Sequence, residues 1–214
     1  MTPAFTVSLA FLSFAALHSL TISQPFKTLV SRMAGPEKFR AFYRPGFTAF
    51  SALITAAAAY AILSQPDTVL CVPPLYVSIP ARTIQLAGVI ILVVAFRPFD
   101  PGRFTGITQA LEYIRTGRTT GDAEGMRDEK LVTGGLYGLV RHPMYLAGIL
   151  IFLCEPRLTT NNLALRVLAV LYFIYGAVVE ERRLVSKFGD EYREYQRRVP
   201  MFDIAAGLFR GMRG

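Results

Sequence analysis

No charged residue occurs before Lys27, so Met1 to Phe26 forms one uncharged run. A bilayer core needs about 20 apolar residues in helical form, so this run is long enough to cross it. A cleaved leader would carry a basic start and a shorter apolar stretch, and neither is present here. Four more apolar stretches follow, at Pro45–Ser64, Thr83–Phe96, Pro143–Cys154 and Leu158–Val179. The third and fourth of the five runs hold only 14 and 12 residues, so they need flanking residues or a thinned bilayer to span. The last contains Arg166, which is expected to snorkel from the outer half rather than face the bundle. The pattern predicts an all-α, polytopic membrane protein with about five transmembrane helices. Leu184, Val185, Phe188, Tyr192, Tyr195 and Val199 recur at helical spacing and predict a C-terminal amphipathic helix on the cytoplasmic surface.

Organisation follows from the same pattern. Residues 1–214 read as a single membrane domain, with a three-helix part at 1–96, a cytoplasmic loop at 97–141, and a helical hairpin plus C-terminal helix at 142–203. Phe99–Leu131 is the long polar stretch, rich in glycine, and reads as either unstructured or a lid. Of the 23 Lys and Arg residues, five lie in Lys27–Arg44, seven in Arg97–Arg141 and eight after Glu181. Five spans put these groups on one face, which the positive-inside rule makes cytoplasmic, with the N-terminus outside. The net charge of +8 is therefore a topology signal with attraction to anionic membrane lipid. Nucleic-acid binding is excluded, because the basic residues are not gathered with stacking aromatics on a soluble module. Cys71 and Cys154 lack metal-ligand spacing, so no metal is expected. They fall toward one membrane side, where pairing is feasible but separate thiols are the default.

Chemistry concentrates in one hairpin. Gly134-Gly135-Leu136-Tyr137-Gly138 interrupts regular structure before Arg141-His142-Pro143 leads into an apolar run. Proline suits a first helical turn, so a helix is expected from Pro143, with Arg141 and His142 at its positive, anion-attracting mouth. Glu180 and Glu181 close the returning helix, where carboxylates oppose its dipole and Arg182 and Arg183 could merely neutralise them. Helices of about 18 Å and about 30 Å would leave His142 roughly 12 Å deeper than the glutamates. A cation site beside an anion site suits a zwitterion. His18, the other histidine, reads as a hydrogen-bonded packing residue. A different class, a haem-binding or accessory protein using His18 and His142, leaves the glutamates and tyrosines without a role.

At these residues the sequence resembles the isoprenylcysteine carboxyl methyltransferase-like superfamily of membrane methyltransferases. The match runs from about Leu131 to Phe202 through Gly-Leu-Tyr-Gly-Leu-Val-Arg-His-Pro-Met-Tyr-Leu-Ala-Gly, Glu-Glu-Arg-Arg-Leu and Phe-Gly-Asp-Glu-Tyr-Arg-Glu-Tyr. Leu17-His18-Ser19-Leu20, Phe42-Tyr43-Arg44 and Arg197-Arg198-Val199-Pro200-Met201 look like its methanethiol S-methyltransferase branch, whereas Thr116–Lys130 does not match the pattern. The resemblance implies S-adenosylmethionine as cofactor, lined by Arg141, His142 and Tyr145 and closed by Glu180 and Glu181. In that setting Arg141 meets the methionyl carboxylate, His142 and Tyr137 the nucleoside, and a glutamate the amino group or ribose. Tyr145, Tyr192 and Tyr195 would hold the sulfonium by cation–π contact. The implied reaction is S-methylation of a small or lipophilic thiol, with Glu181 or His142 taking its proton. Carboxyl methylation of a prenylated cysteine and N-methylation of a phospholipid amine are the alternatives.

Overall fold

The computed structural model describes residues 2–120 and 130–211, with side chains through Gly207. Its described elements are helical apart from one short strand pair and a 3-10 turn. Among the described residues, four helices are long and apolar enough to cross a membrane: α1 (Pro3–Ile22), α3 (Pro36–Leu63), α4 (Leu75–Phe96) and α8 (Thr160–Phe188). A fifth apolar helix, α7 (Pro143–Leu153), is shorter. The chain divides into two compact units, Met1–Pro66 with Phe99–Lys130, and Asp67–Pro98 with Leu131–Gly214.

In the first unit, α1 packs on α3, and α2 (Gln24–Ala34) links them. Ser23 separates α1 from α2 by accepting a hydrogen bond from Phe26 N, the side-chain cap that ends one helix and starts the next. His18 lies 3.3 Å from Ser51 Oγ and stacks on Phe14 at 5.5 Å. Both contacts fit the packing role expected of it. The stretch expected as a loop instead forms α5 (Pro101–Thr105) and α6 (Ile107–Thr116). Both pack on α3. Arg44 donates to the Phe104 carbonyl at 2.6 Å while its guanidinium lies over the Phe104 ring. Gly106 turns between the two helices with φ +88°, and a Cβ there would come 2.3 Å from Pro45 Cδ. Only glycine fits that turn and that approach. Residues 121–129, within the expected lid and the unmatched Thr116–Lys130 stretch, lie outside the described residues.

In the second unit, α7 packs between contacts to α4 and α8. Small residues set these approaches. A Cβ at Gly88 of α4 would stand 3.1 Å from Leu150 Cβ, and one at Gly148 of α7 would stand 2.6 Å from the Phe173 ring. The span expected at Thr83–Phe96 begins earlier, at Leu75, and passes through Pro80. Arg82 lies within the longer helix, and a two-pronged pair with Glu155, at 2.7 and 2.8 Å, takes up its charge. Arg166 reaches back along α8 to the Glu155 carbonyl at 2.7 Å, so it holds the loop beyond α7. Cys71 and Cys154 are both free thiols.

The hairpin turn is pinned at β1 (Val69–Cys71), which pairs with β2 (Leu158–Thr159). Thr159 and Asn162 form a capping box at the start of α8. Asp67 accepts from Asn161 N and Thr160 Oγ1, each at 3.0 Å. Burial pushes the Asp67 carboxyl up, but hydrogen bonds from Thr159, Asn161, Thr160 and Thr68 outweigh it and hold the pKa below its ordinary value. A depressed carboxylate contributes stability above its unfolded pKa and loses it as pH falls through the folded one. Asp67→Ala is therefore expected to remove up to about 1 kcal/mol near neutrality and less in acid, as read from melting temperature against pH.

Candidate functional site

Proline at position 143 starts α7 where its missing N–H is harmless, and His142 is the residue before the first turn, without a side-chain cap. The Arg141 and His142 amides donate to the carbonyls of Pro200 and Met201, at 2.9 and 3.3 Å. The chain segment after α9 (Asp190–Arg198) is thus stitched to the mouth of α7. Before it, the 3-10 turn Gly135–Gly138 brings Tyr137 within 3.4 Å of the Ala95 carbonyl. Tyr195 donates its hydroxyl to the Tyr137 carbonyl.

Glu181 is the centre of the arrangement. Arg141 grips it with Nε on Oε1 at 2.9 Å and Nη2 on Oε2 at 3.1 Å. His142 Nε2 lies 2.6 Å from Oε1, and the Tyr192 hydroxyl donates to the same oxygen at 2.8 Å. Gln196 Nε2 donates to Oε2. The remaining Arg141 amine, Nη1, meets the carbonyls of Gln196 and Val199. The side chains of Arg141 and Glu181 are each 10% exposed and that of His142 is 4%, so the pair is charge-assisted and shielded from water.

The expected depth difference between His142 and the glutamates is overturned by this contact. Glu180 and Glu181 do not end their helix, because α8 continues to Phe188. They therefore lie well inside its regular turns, alongside the mouth of α7, and not at a C-terminus opposing the dipole. The amphipathic stretch is also two pieces, broken at Gly189 with φ +59°. Its apolar face is covered by protein: Tyr192, Tyr195 and Val199 form a buried cluster with Leu131, Leu184, Val185 and Phe188. The C-terminal helix thus turns its apolar face onto the end of α8.

Glu180 differs from its neighbour. Its side chain is 31% exposed, 3.9 Å from His142 Nδ1 and 3.3 Å from Arg183 Nη2. Tyr145 lies beside it and stands edge-on to His142, ring centres 5.6 Å apart. Gly176, one turn before Glu180, makes room for Tyr145: a Cβ there would sit 2.9 Å from its ring. Burial pushes the Tyr137 phenol up, with Glu180 and Tyr195 adding to it. For Tyr192 burial again comes first and the Glu181 hydrogen bond second. Both phenols are thereby kept as proton donors.

The structure thus brings Arg141, His142, Tyr145, Glu180, Glu181 and Tyr192 together, with Tyr137 and Tyr195 one hydrogen bond apart beside them. Tyr192 and Tyr195 are 1% and 4% exposed, so they frame the site from the core. Gln196 was missed in the sequence. Its signal was present, since Tyr192, Tyr195, Gln196 and Val199 share one helical face, and a polar residue within that stripe calls for a buried partner. No group of three or more His, Cys, Asp or Glu residues that could hold a metal occurs among the described residues.

Comparison with known proteins finds likeness to methyltransferases. Residues 102–191 match the family model for phospholipid methyltransferase. Methanethiol S-methyltransferase 1 of Bradyrhizobium diazoefficiens is 26% identical over 88% of this chain and 62% of its own length. The methanethiol S-methyltransferase of Pseudomonas deceptionensis is 34% identical over 45% of this chain and 34% of its own. Protein-S-isoprenylcysteine O-methyltransferase of Schizosaccharomyces pombe is 37% identical over 35% of this chain and 33% of its own. The chain spans about three fifths of the Bradyrhizobium protein's length and about one third of the other two. No solved structure matches. The resemblance to the isoprenylcysteine carboxyl methyltransferase-like superfamily holds, and with its four apolar helices the chain is an integral membrane protein.

Proposed function

We propose that this chain is a membrane methyltransferase that transfers a methyl group from S-adenosylmethionine to a small or lipophilic thiol. The observation that carries the reading is the junction of α7 and α8, where Glu180 and Tyr145 stand at an uncapped, positively polarised helix mouth. A zwitterionic cofactor matches both signs. The amides of the first turn of α7 suit its carboxylate, Glu180 suits its ammonium, and the Tyr145 ring suits positive charge nearby. Arg141 is engaged with Glu181 and two carbonyls, so its part is to hold the mouth in shape. Tyr137 flanks the nucleoside end.

S-adenosylmethionine supplies an electrophilic methyl group on a sulfonium. What the chain must add is alignment and exclusion of water. A thiol acceptor gains nucleophilicity when it loses its proton. His142 Nδ1, the ring nitrogen not bound to Glu181, is the proposed proton acceptor. The Lys and Arg distribution supports a cytoplasmic mouth with the N-terminus outside. Thiol methylation is preferred because the Bradyrhizobium and Pseudomonas relatives bear that activity in their names. The Schizosaccharomyces relative supports carboxyl methylation as the second reading.

Isothermal titration of the detergent-purified protein with S-adenosylhomocysteine is expected to give one saturable site. Folded protein that binds neither cofactor nor product would sink the proposal. Methyl transfer assayed across small thiols, prenylcysteines and phospholipid amines then separates the acceptors, with thiols expected to react fastest.

A further inference from the structure

Five hydrogen bonds converge on Glu181, from Arg141 Nε and Nη2, His142 Nε2, the Tyr192 hydroxyl and Gln196 Nε2. A carboxylate offers about four lone-pair sites, so this one is saturated by the protein itself. It has no capacity left for a ligand and little basicity with which to take a proton. Two of its donors, Tyr192 and Gln196, come from α9. We propose that Glu181 is a positioning residue, and that Tyr192 and Gln196 are positioning residues acting through it. Together they fix the orientation of His142 and Arg141 at the mouth of α7.

The chemistry of the donors supports this. Because Glu181 can only accept, its contact with His142 requires a proton on Nε2 and so directs Nδ1 toward Glu180, 3.9 Å away. A ring that is free to flip would present either nitrogen. The orienting carboxylate behind an imidazole is a recurrent device for fixing which nitrogen faces the reaction. Tyr192 is 1% exposed, and burial followed by the Glu181 contact raises its phenol pKa, so its hydroxyl donates steadily. Arg141 adds mechanical coupling, since the guanidinium that clasps Glu181 also holds the Gln196 and Val199 carbonyls. Displacement of α9 would therefore release the histidine and the arginine at once.

The role of these residues in turnover rests on the proposed methyl transfer, but their effect on His142 does not. The chain contains just two histidines, so 15N-histidine labelling gives two ring systems, one of which is removed in His142→Gln to assign them. Tyr192→Phe keeps the ring and deletes only the donor. It is expected to move the His142 Nε2 resonance while leaving that of His18 in place, to lower kcat roughly three- to tenfold, the scale of one charge-assisted hydrogen bond partly transmitted, and to change KM for the thiol little. Gln196→Leu should behave alike. Phe188→Leu, in the same buried cluster but without a bond to Glu181, is the control for packing: it should lower the melting temperature without moving the His142 signal. A His142 signal unchanged in both Tyr192→Phe and Gln196→Leu overturns the proposal, as does an equal shift in Phe188→Leu. If wild-type protein fails to bind S-adenosylhomocysteine, the methyltransferase reading falls, while the resonances still decide the positioning claim.

Discussion

Arg141→Ala is expected to destabilise the protein by about 3–5 kcal/mol, the usual consequence of removing one partner from a buried, hydrogen-bonded ion pair. Both partners are 10% exposed, so water cannot readily replace what is lost. The deletion leaves Glu181 charged with its two-pronged donor gone, and it strips the Gln196 and Val199 carbonyls of theirs. Arg141→Lys should recover less than half of the loss. An ammonium restores charge but cannot meet both carboxylate oxygens and two carbonyls in one plane. Chemical unfolding in detergent, followed by hydrogen exchange of the α9 amides, checks this: α9 should lose protection before α7 does. Arg141→Ala combined with Glu181→Ala should be less destabilised than the two single variants summed, because the pair then disappears together. A loss below about 1 kcal/mol for Arg141→Ala would mean that the pair behaves as a surface salt bridge.

The same network shows what the sequence could and could not convey. Apolar runs bounded by charge located the spans, since chain length against bilayer thickness is a one-dimensional property. Pro143 marked the start of α7 to the residue because proline acts through local backbone sterics. The errors came where tertiary pairing overrides a local signal. Arg82 looked like a boundary until Glu155, far along the chain, accounted for it. The glutamates looked terminal because charge was taken to mark the edge of the span. In the fold, Arg141 and His142 meet Glu181 from the neighbouring helix, and α8 continues for two further turns. Likewise α5 and α6 were hidden in a glycine-rich stretch, since their stability comes from docking on α3 through Arg44 and the Gly106 turn. That the Arg-His-Pro and Glu-Glu motifs share a site was legible. Which glutamate faces inward was not, because adjacent helical residues point about 100° apart and only the partner helix decides between them.

That division of labour gives the second large effect, on binding. Glu180→Gln is expected to weaken S-adenosylhomocysteine roughly ten- to hundredfold, the equivalent of the 1.5–3 kcal/mol carried by a hydrogen bond to a charged group. The substitution keeps shape and one acceptor oxygen, so it isolates the charge that would meet the ligand's ammonium. Stability should hardly change. Glu180 is 31% exposed and its ion pair with Arg183 is a helical i,i+3 contact, worth a few tenths of a kcal/mol. Glu181→Gln should show the opposite balance, because an amide cannot accept from all the donors now aimed at that carboxylate and its own N–H2 would face the Arg141 guanidinium. Its melting temperature should fall well below that of Glu180→Gln, and any binding deficit should track the fraction unfolded. Titration calorimetry and unfolding measured on the same preparations resolve the two. Wild-type affinity in Glu180→Gln would show that the ligand does not meet this carboxylate. Were Glu181→Gln instead to stay fully stable and lose binding, the inward glutamate would be the ligand's partner, and the roles assigned to the pair would have to be exchanged.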